Sequence, residues 1–167
     1  QDARRHLCRA APLGLGAVTT AGPSLPGGYE ISTDPARLDV DVIHRYLAED
    51  SYWSPGIARE VVERSIAHSL CFGLYHGADQ VGFARVVTDR ALFGLLADVF
   101  VLPAHRGKGL AKALMHRVLE HEDVKRLRRF QLVTVDAHDL YRRFGFAEIT
   151  GASRYMEILH PDAHRSP

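Results

Sequence analysis

Arg106-Gly107-Lys108-Gly109-Leu110-Ala111 is the stretch of this 167-residue chain best equipped for chemistry. It separates an apolar run from an amphipathic pattern, so it opens a helix. The first turn of a helix carries amides with no intrahelical partner, and the dipole adds partial positive charge there. Glycine removes the Cβ that would hold an anion away from those amides. Arg106 and Lys108 bring mobile positive charge. The order strand, glycine-bearing turn, helix makes an anion cradle whose natural guest is a diphosphate. A second reactive group lies just upstream. Asp98 interrupts an otherwise apolar strand, which is costly unless the acid is paired, protonated or open to a cleft. Arg85 on the preceding strand is its candidate partner.

The elements around these groups follow from pattern. Leu92 to Leu102 is apolar at odd and even positions alike, broken only by Gly94 and Asp98, as suits a strand covered on both faces. Pro103 ends it. The following helix gathers Leu110, Leu114 and Val118 on one side and Lys108, Lys112 and His116 on the other. Upstream, Tyr29–Ser32 reads as a strand. Asp34 caps a helix with Pro35 at its first position and an apolar face of Leu38, Val42 and Tyr46. Ser54-Pro55 starts a second helix running to about His68. Strands follow at about Leu70–His76 and Val81–Thr88, joined by turn formers. After the long helix, Phe130–Val135 is a strand parallel to the central one by a right-handed crossover. Asp136–Phe144 is a short helix ending at Gly145. Phe146–Thr150 and Tyr155–Leu159 are expected to close the sheet as an antiparallel pair.

The cradle lacks the glycine spacing and the Gly-Lys-Ser/Thr ending of the phosphate loop of nucleotide hydrolases. It also lacks the three-glycine fingerprint of dinucleotide folds. Arg106, Gly109 and Ala111 do satisfy Arg/Gln-x-x-Gly-x-Gly/Ala in register. Val99-Phe100-Val101 stands five residues ahead, and Asp136-Ala137-His138-Asp139-Leu140-Tyr141-Arg142-Arg143-Phe144-Gly145-Phe146 follows one strand later. With both blocks in this order, the chain resembles the GNAT N-acetyltransferase superfamily from roughly Tyr29 to Leu159.

That resemblance implies a mixed α/β fold, α/β/α in three layers, whose mostly antiparallel sheet of six to seven strands splays beside the cradle helix. It implies an N-acetyltransferase that moves an acetyl group from acetyl-CoA to an amine in a direct ternary complex. The alternative is an acyl-CoA-binding regulatory module without turnover. Carrier contacts would come from Val99, Phe100 and Val101 and from Arg106, Gly107, Lys108, Gly109, Leu110 and Ala111. Asp136, with His138, stands where the family often places a further polar contact. Tyr141 matches a tyrosine that protonates the departing sulfur. Asp98 is either a general base or a purely structural partner of Arg85. Tyr52 and Trp53, between the first two helices, either staple those helices together or wall the acceptor pocket.

Composition narrows the rest. Hydrophobic content of 46% and charged content of 25% are those of an ordinary globular protein, and a formal net charge of +1 gives no field for nucleic acid or an anionic membrane. Arg126-Leu127-Arg128-Arg129 reads as a solvated turn after the long helix. Two cysteines in unlike settings, Cys8 and Cys71, fit a reduced, cytoplasmic protein. Ten scattered histidines show no ligand spacing, so no metal is expected. No apolar run is long enough to span a bilayer. Residues 1–28 read as a disordered extension, 29–160 as one domain and 161–167 as a flexible tail. The expected partner is a small-molecule or peptide amine, and the expected state a monomer or homodimer.

Overall fold

The computed structural model describes residues 25–165, and residues 1–24 of the extension expected over 1–28 lie outside them. A five-stranded sheet carries the fold, in spatial order β1 (Tyr29–Ser32), β2 (Leu70–His76), β3 (Asp79–Thr88), β4 (Phe93–Val101) and β5 (Arg129–Leu132). The first four strands pair antiparallel and β5 lies parallel to β4. Between β4 and β5 runs α3 (Leu110–Glu120). Only a crossover of this kind can return the chain to lie parallel.

Both faces of the sheet are covered. Phe72, Ala84, Val86 and Leu96 pack with Leu114, Met115 and Val118 of α3. On the other face, Cys71, Phe83 and Phe100 pack with Ile43 and Leu47 and with Val62 of α2 (Arg59–Ala67). The three-layer expectation therefore holds, while the strand count is five rather than six to seven.

The missing strands are those placed at Phe146–Thr150 and Tyr155–Leu159, where no strand forms. β5 stops at Leu132 and offers an edge of only four residues. Tyr155 reaches that edge through its side chain alone, its hydroxyl accepting from Gln131 at 3.2 Å and from Arg129. Met156 and Ile158 are left 97% and 88% exposed.

The first helix also differs from its expectation. Asp34 caps only a single turn at Pro35–Arg37, and Leu38 then goes extended. α1 (Val40–Arg45) is capped afresh by Asp39, whose carboxylate accepts from the Val42 amide at 3.1 Å. The break is tertiary in origin. The buried Gln80 side chain accepts the Asp39 N–H at 2.7 Å, removing that donor from any continuous helix. α1 then widens into a π-turn over Tyr46–Asp50, a geometry that recurs at functional sites. Ser51–Ala58 is irregular, so α2 starts at Arg59 rather than at Ser54. The chain's end packs behind this loop: the Ala58 amide donates to the His164 carbonyl at 2.9 Å.

Candidate active site

The site begins where β4 and β5 part. Their pairing ends at Leu96 with Leu132, but β4 continues to Val101. Beyond Leu96 the edge of β4 that faced β5 has no strand partner among the described residues. The separation is reinforced by a bulge. Phe83 pairs with Phe100 and Arg85 with Ala97, so Asp98 and Val99 together oppose the single residue Ala84. Asp98 takes φ of 53°, a left-handed conformation uncommon outside glycine.

The bulge aims the Asp98 side chain at two neighbours. Its Oδ2 accepts from Arg85 Nε at 2.6 Å and its Oδ1 from the Trp53 indole N–H at 3.1 Å. Arg85 also donates to Ser69 Oγ at 3.1 Å. The Asp98 side chain is 9% exposed and that of Arg85 16%. A carboxylate so placed needs its cation, because an unpaired buried charge costs several kcal/mol.

Between the parted strands lies a cleft of about 500 Å³. Its walls include Tyr46, Tyr52, Trp53, Asp98, Val99, Arg106, Thr134, Val135, Asp136 and Tyr141, which brings together half of the residues singled out from sequence. Tyr141 sits on α4 (His138–Arg142), half-buried, its ring edge-on to Phe146 at 5.8 Å. Burial, with smaller contributions from Tyr52 and Asp136, pushes its phenol up to about 12. The group therefore keeps its proton throughout the neutral range.

The cradle is built as the spacing implies. Gly107 and Gly109 have φ of 78° and 76°, and a Cβ on either would meet nothing within 4 Å. The space in front of them is open. Gly109 is the N-cap of α3 and no side chain caps the helix. A smaller hollow of about 180 Å³ lies against Val101, Arg106, Gly107, Gly109, Leu110, Ala111, Lys112 and Leu140. Open amides and free space suit a phosphate-bearing ligand at this turn.

Both of the cradle's cations have hydrogen-bond partners within the chain. Arg106 Nε donates to the Val101 carbonyl at 2.9 Å and its Nη2 to the Tyr46 hydroxyl at 3.2 Å. Lys108 Nζ donates to the Tyr29 hydroxyl at 2.9 Å, which also meets His105 Nδ1 at 2.7 Å. Phe100 is a core residue, its ring stacked on Tyr46 with centroids 3.9 Å apart, and it lines neither hollow. Tyr46 was legible only as part of a helix's apolar face. It is the π-turn that carries it to the cleft, and no sequence signal marked that turn.

A family model described as an acetyltransferase (GNAT) domain matches residues 67–148. The chain is 33% identical over 135 residues to a Gibberella zeae protein assigned as an acetyltransferase, spanning 69% of this chain and 76% of that one. A crystal structure from Xanthomonas campestris pv. campestris, assigned to the GNAT family as an acetyltransferase, is 46% identical. It superposes with a TM-score of 0.81 over 86% of this chain and all of that one.

The chain is a member of the GNAT acetyltransferase family.

GNAT enzymes use acetyl-CoA, and a Clostridium acetobutylicum protein of this fold was crystallised with it. That structure is 15% identical with a TM-score of 0.58, covering 78% of this chain and 94% of that one, and shows a shared fold only. In this GNAT chain no helix among the described residues is long and apolar enough to cross a membrane.

Proposed function

We propose that the protein transfers an acetyl group from acetyl-CoA directly to an amine, with both bound in the cleft between β4 and β5. The observation that carries this reading is the adjacency of three features. The uncapped start of α3 opens beside the unpaired edge of β4, and the half-buried Tyr141 lines the same cleft. When bound, acetyl-CoA supplies the activated acyl group as a thioester.

The chain's own residues do the rest. Backbone amides at Leu110 and Ala111, reached past Gly107 and Gly109, hold the diphosphate, with Lys108 nearby as added positive charge. Val99 and Val101 offer backbone groups to the carrier arm as to an added strand. A strand amide also serves the carbonyl oxygen as charge develops there. Tyr141 donates its phenolic proton toward the leaving sulfur. Asp136 borders the carrier's path. Tyr52 and Trp53 wall the acceptor side, where a small-molecule or peptide amine approaches.

Asp98 takes the structural of its two roles in this scheme. Both of its oxygens already accept from Arg85 and Trp53, so it anchors the wall rather than collecting the amine's proton. The amine attacks in its neutral form, brought there by proximity, and the proton its nitrogen sheds on becoming an amide replaces the one Tyr141 gives to the sulfur. Cys71 is no nucleophile. It is buried on the α1–α2 face, and burial pushes its thiol up to about 11.

Thermal unfolding with added acetyl-CoA tests the reading. A ligand at a hundred times its Kd adds about 2.7 kcal/mol of stability. An upward shift with acetyl-CoA, followed by thiol release on screening an amine library, is expected. A shift with ATP and none with acetyl-CoA refutes it.

A further inference from the structure

Tyr52 and Trp53 span the mouth of the notch. The Trp53 indole is held from the β4 side by Asp98 at 3.1 Å. The Tyr52 hydroxyl accepts the Val135 N–H, just past the end of β5, at 3.2 Å. The two rings meet edge to face with centroids 5.0 Å apart, so they form one rigid piece linking the two arms. Neither ring is held by burial, since Tyr52 is 53% and Trp53 38% exposed. Their positions are set by those two hydrogen bonds, by packing of the Trp53 ring against Tyr46 with centroids 6.4 Å apart, and by the loop's contact with His164 behind it.

The β4 end of this crossbar depends on Arg85. Arg85 is absent from the cleft wall, yet it fixes the orientation of the carboxylate that holds Trp53. Its second donor, to Ser69 at the start of β2, fixes the guanidinium in turn. The bulge cannot supply this by itself, because a left-handed backbone at Asp98 leaves the carboxylate free to rotate.

We infer that Arg85 is a specificity-determining positioning residue: through Asp98 it holds the Tyr52–Trp53 crossbar that sets which amines reach the cleft. The inference rests on the cleft being the acceptor site. Arg85 itself touches neither ligand. Loss of its guanidinium frees Trp53 and loosens the acceptor wall, while the cradle, held by Arg106 on the Val101 carbonyl and Lys108 on the Tyr29 hydroxyl, keeps its shape.

Trp53 is the sole tryptophan in the chain, so its emission reports the crossbar directly. Acrylamide quenching is measured on the wild type and on Arg85→Met and Arg85→Lys, with melting curves to confirm folding. Lysine keeps the charge but cannot donate to Asp98 and Ser69 from one rigid group. The quenching constant of Trp53 is expected to rise about twofold in both variants, because a tether of two hydrogen bonds to a charged group is lost. The thermal shift with acetyl-CoA stays that of the wild type. Unchanged quenching in a folded Arg85→Lys overturns the inference whatever acetyl-CoA does. A missing acetyl-CoA shift in the wild type itself would instead defeat the functional reading and leave the quenching result standing.

The selectivity arm uses the amine found by thiol release. Arg85→Lys and Trp53→Phe are each expected to raise its KM about fivefold with kcat within twofold. The double variant should be no worse than either single, since both act through one contact. KM effects that multiply, or a loss confined to kcat, overturn the assignment.

Discussion

Leu96 and Phe100 lie four residues apart on β4 yet pack on opposite faces of the sheet, Leu96 against α3 and Phe100 against α1 and α2. In a regular strand, residues an even number apart share a face. The bulge at Asp98 inserts the extra residue that reverses the phase. One backbone irregularity thus completes two cores and opens the cleft. Asp98→Val and Asp98→Gly both lose the carboxylate, but only glycine keeps φ of 53° without strain. The valine variant should be less stable than the glycine variant by about 1–3 kcal/mol, as urea unfolding would measure.

Gly109→Val should abolish acetyl-CoA binding. Valine cannot settle at φ of 76°, and its methyls fill the open space before the α3 amides. Calorimetric titration of the folded variant checks this. Wild-type affinity would remove the cradle from the scheme.

Tyr141→Phe should lower kcat by about a hundredfold or more, the usual contribution of a positioned acid, with little change in acetyl-CoA affinity. The phenol pushed up to about 12 dictates the pH behaviour. Its folded value exceeds the unfolded value near 10, so its contribution to stability is complete below about pH 10. That contribution drains away as pH rises from there toward 12. The wild type should consequently lose more stability than Tyr141→Phe over that alkaline window, and the two should run parallel below it. Between pH 7 and 9 the kcat deficit should be constant.

Cys71→Ala should retain turnover, and iodoacetamide at neutral pH should leave the activity intact. The thiol is 7% exposed and pushed up to about 11, so almost none of it is thiolate. Incorporation of acetyl label at Cys71 with kinetic competence would establish a covalent route instead.

Local pattern made β1 to β4, α3 and the cradle legible. Each is written in a few consecutive residues: a run of apolar side chains, a proline stop, two glycines before an amphipathic helix. The features that were not legible depend on distant partners. Nothing near Asp39 announces that Gln80, on another strand, takes its amide. The alternation in Tyr155–Leu159 describes a strand, but a strand needs an edge to join, and β5 ends after four residues. In the site, the acid, its arginine and the aromatic pair could each be singled out. That Trp53 and Arg85 share one carboxylate follows from the bulge, and only the three-dimensional arrangement displays it.

The parallel attachment of β5 also orders the molecule in time. β2, β3 and β4 are joined by short turns and can zip up locally, whereas β5 reaches β4 through four register pairs only after the whole of α3 is in place. The gap that would house catalysis consequently assembles after the β2–β3–β4 meander and opens before it. Amide exchange should be faster in Arg129–Leu132 than in β3. A ligand gripping the start of α3 and the free edge of β4 would act as a seam, slowing exchange across that junction more than anywhere else.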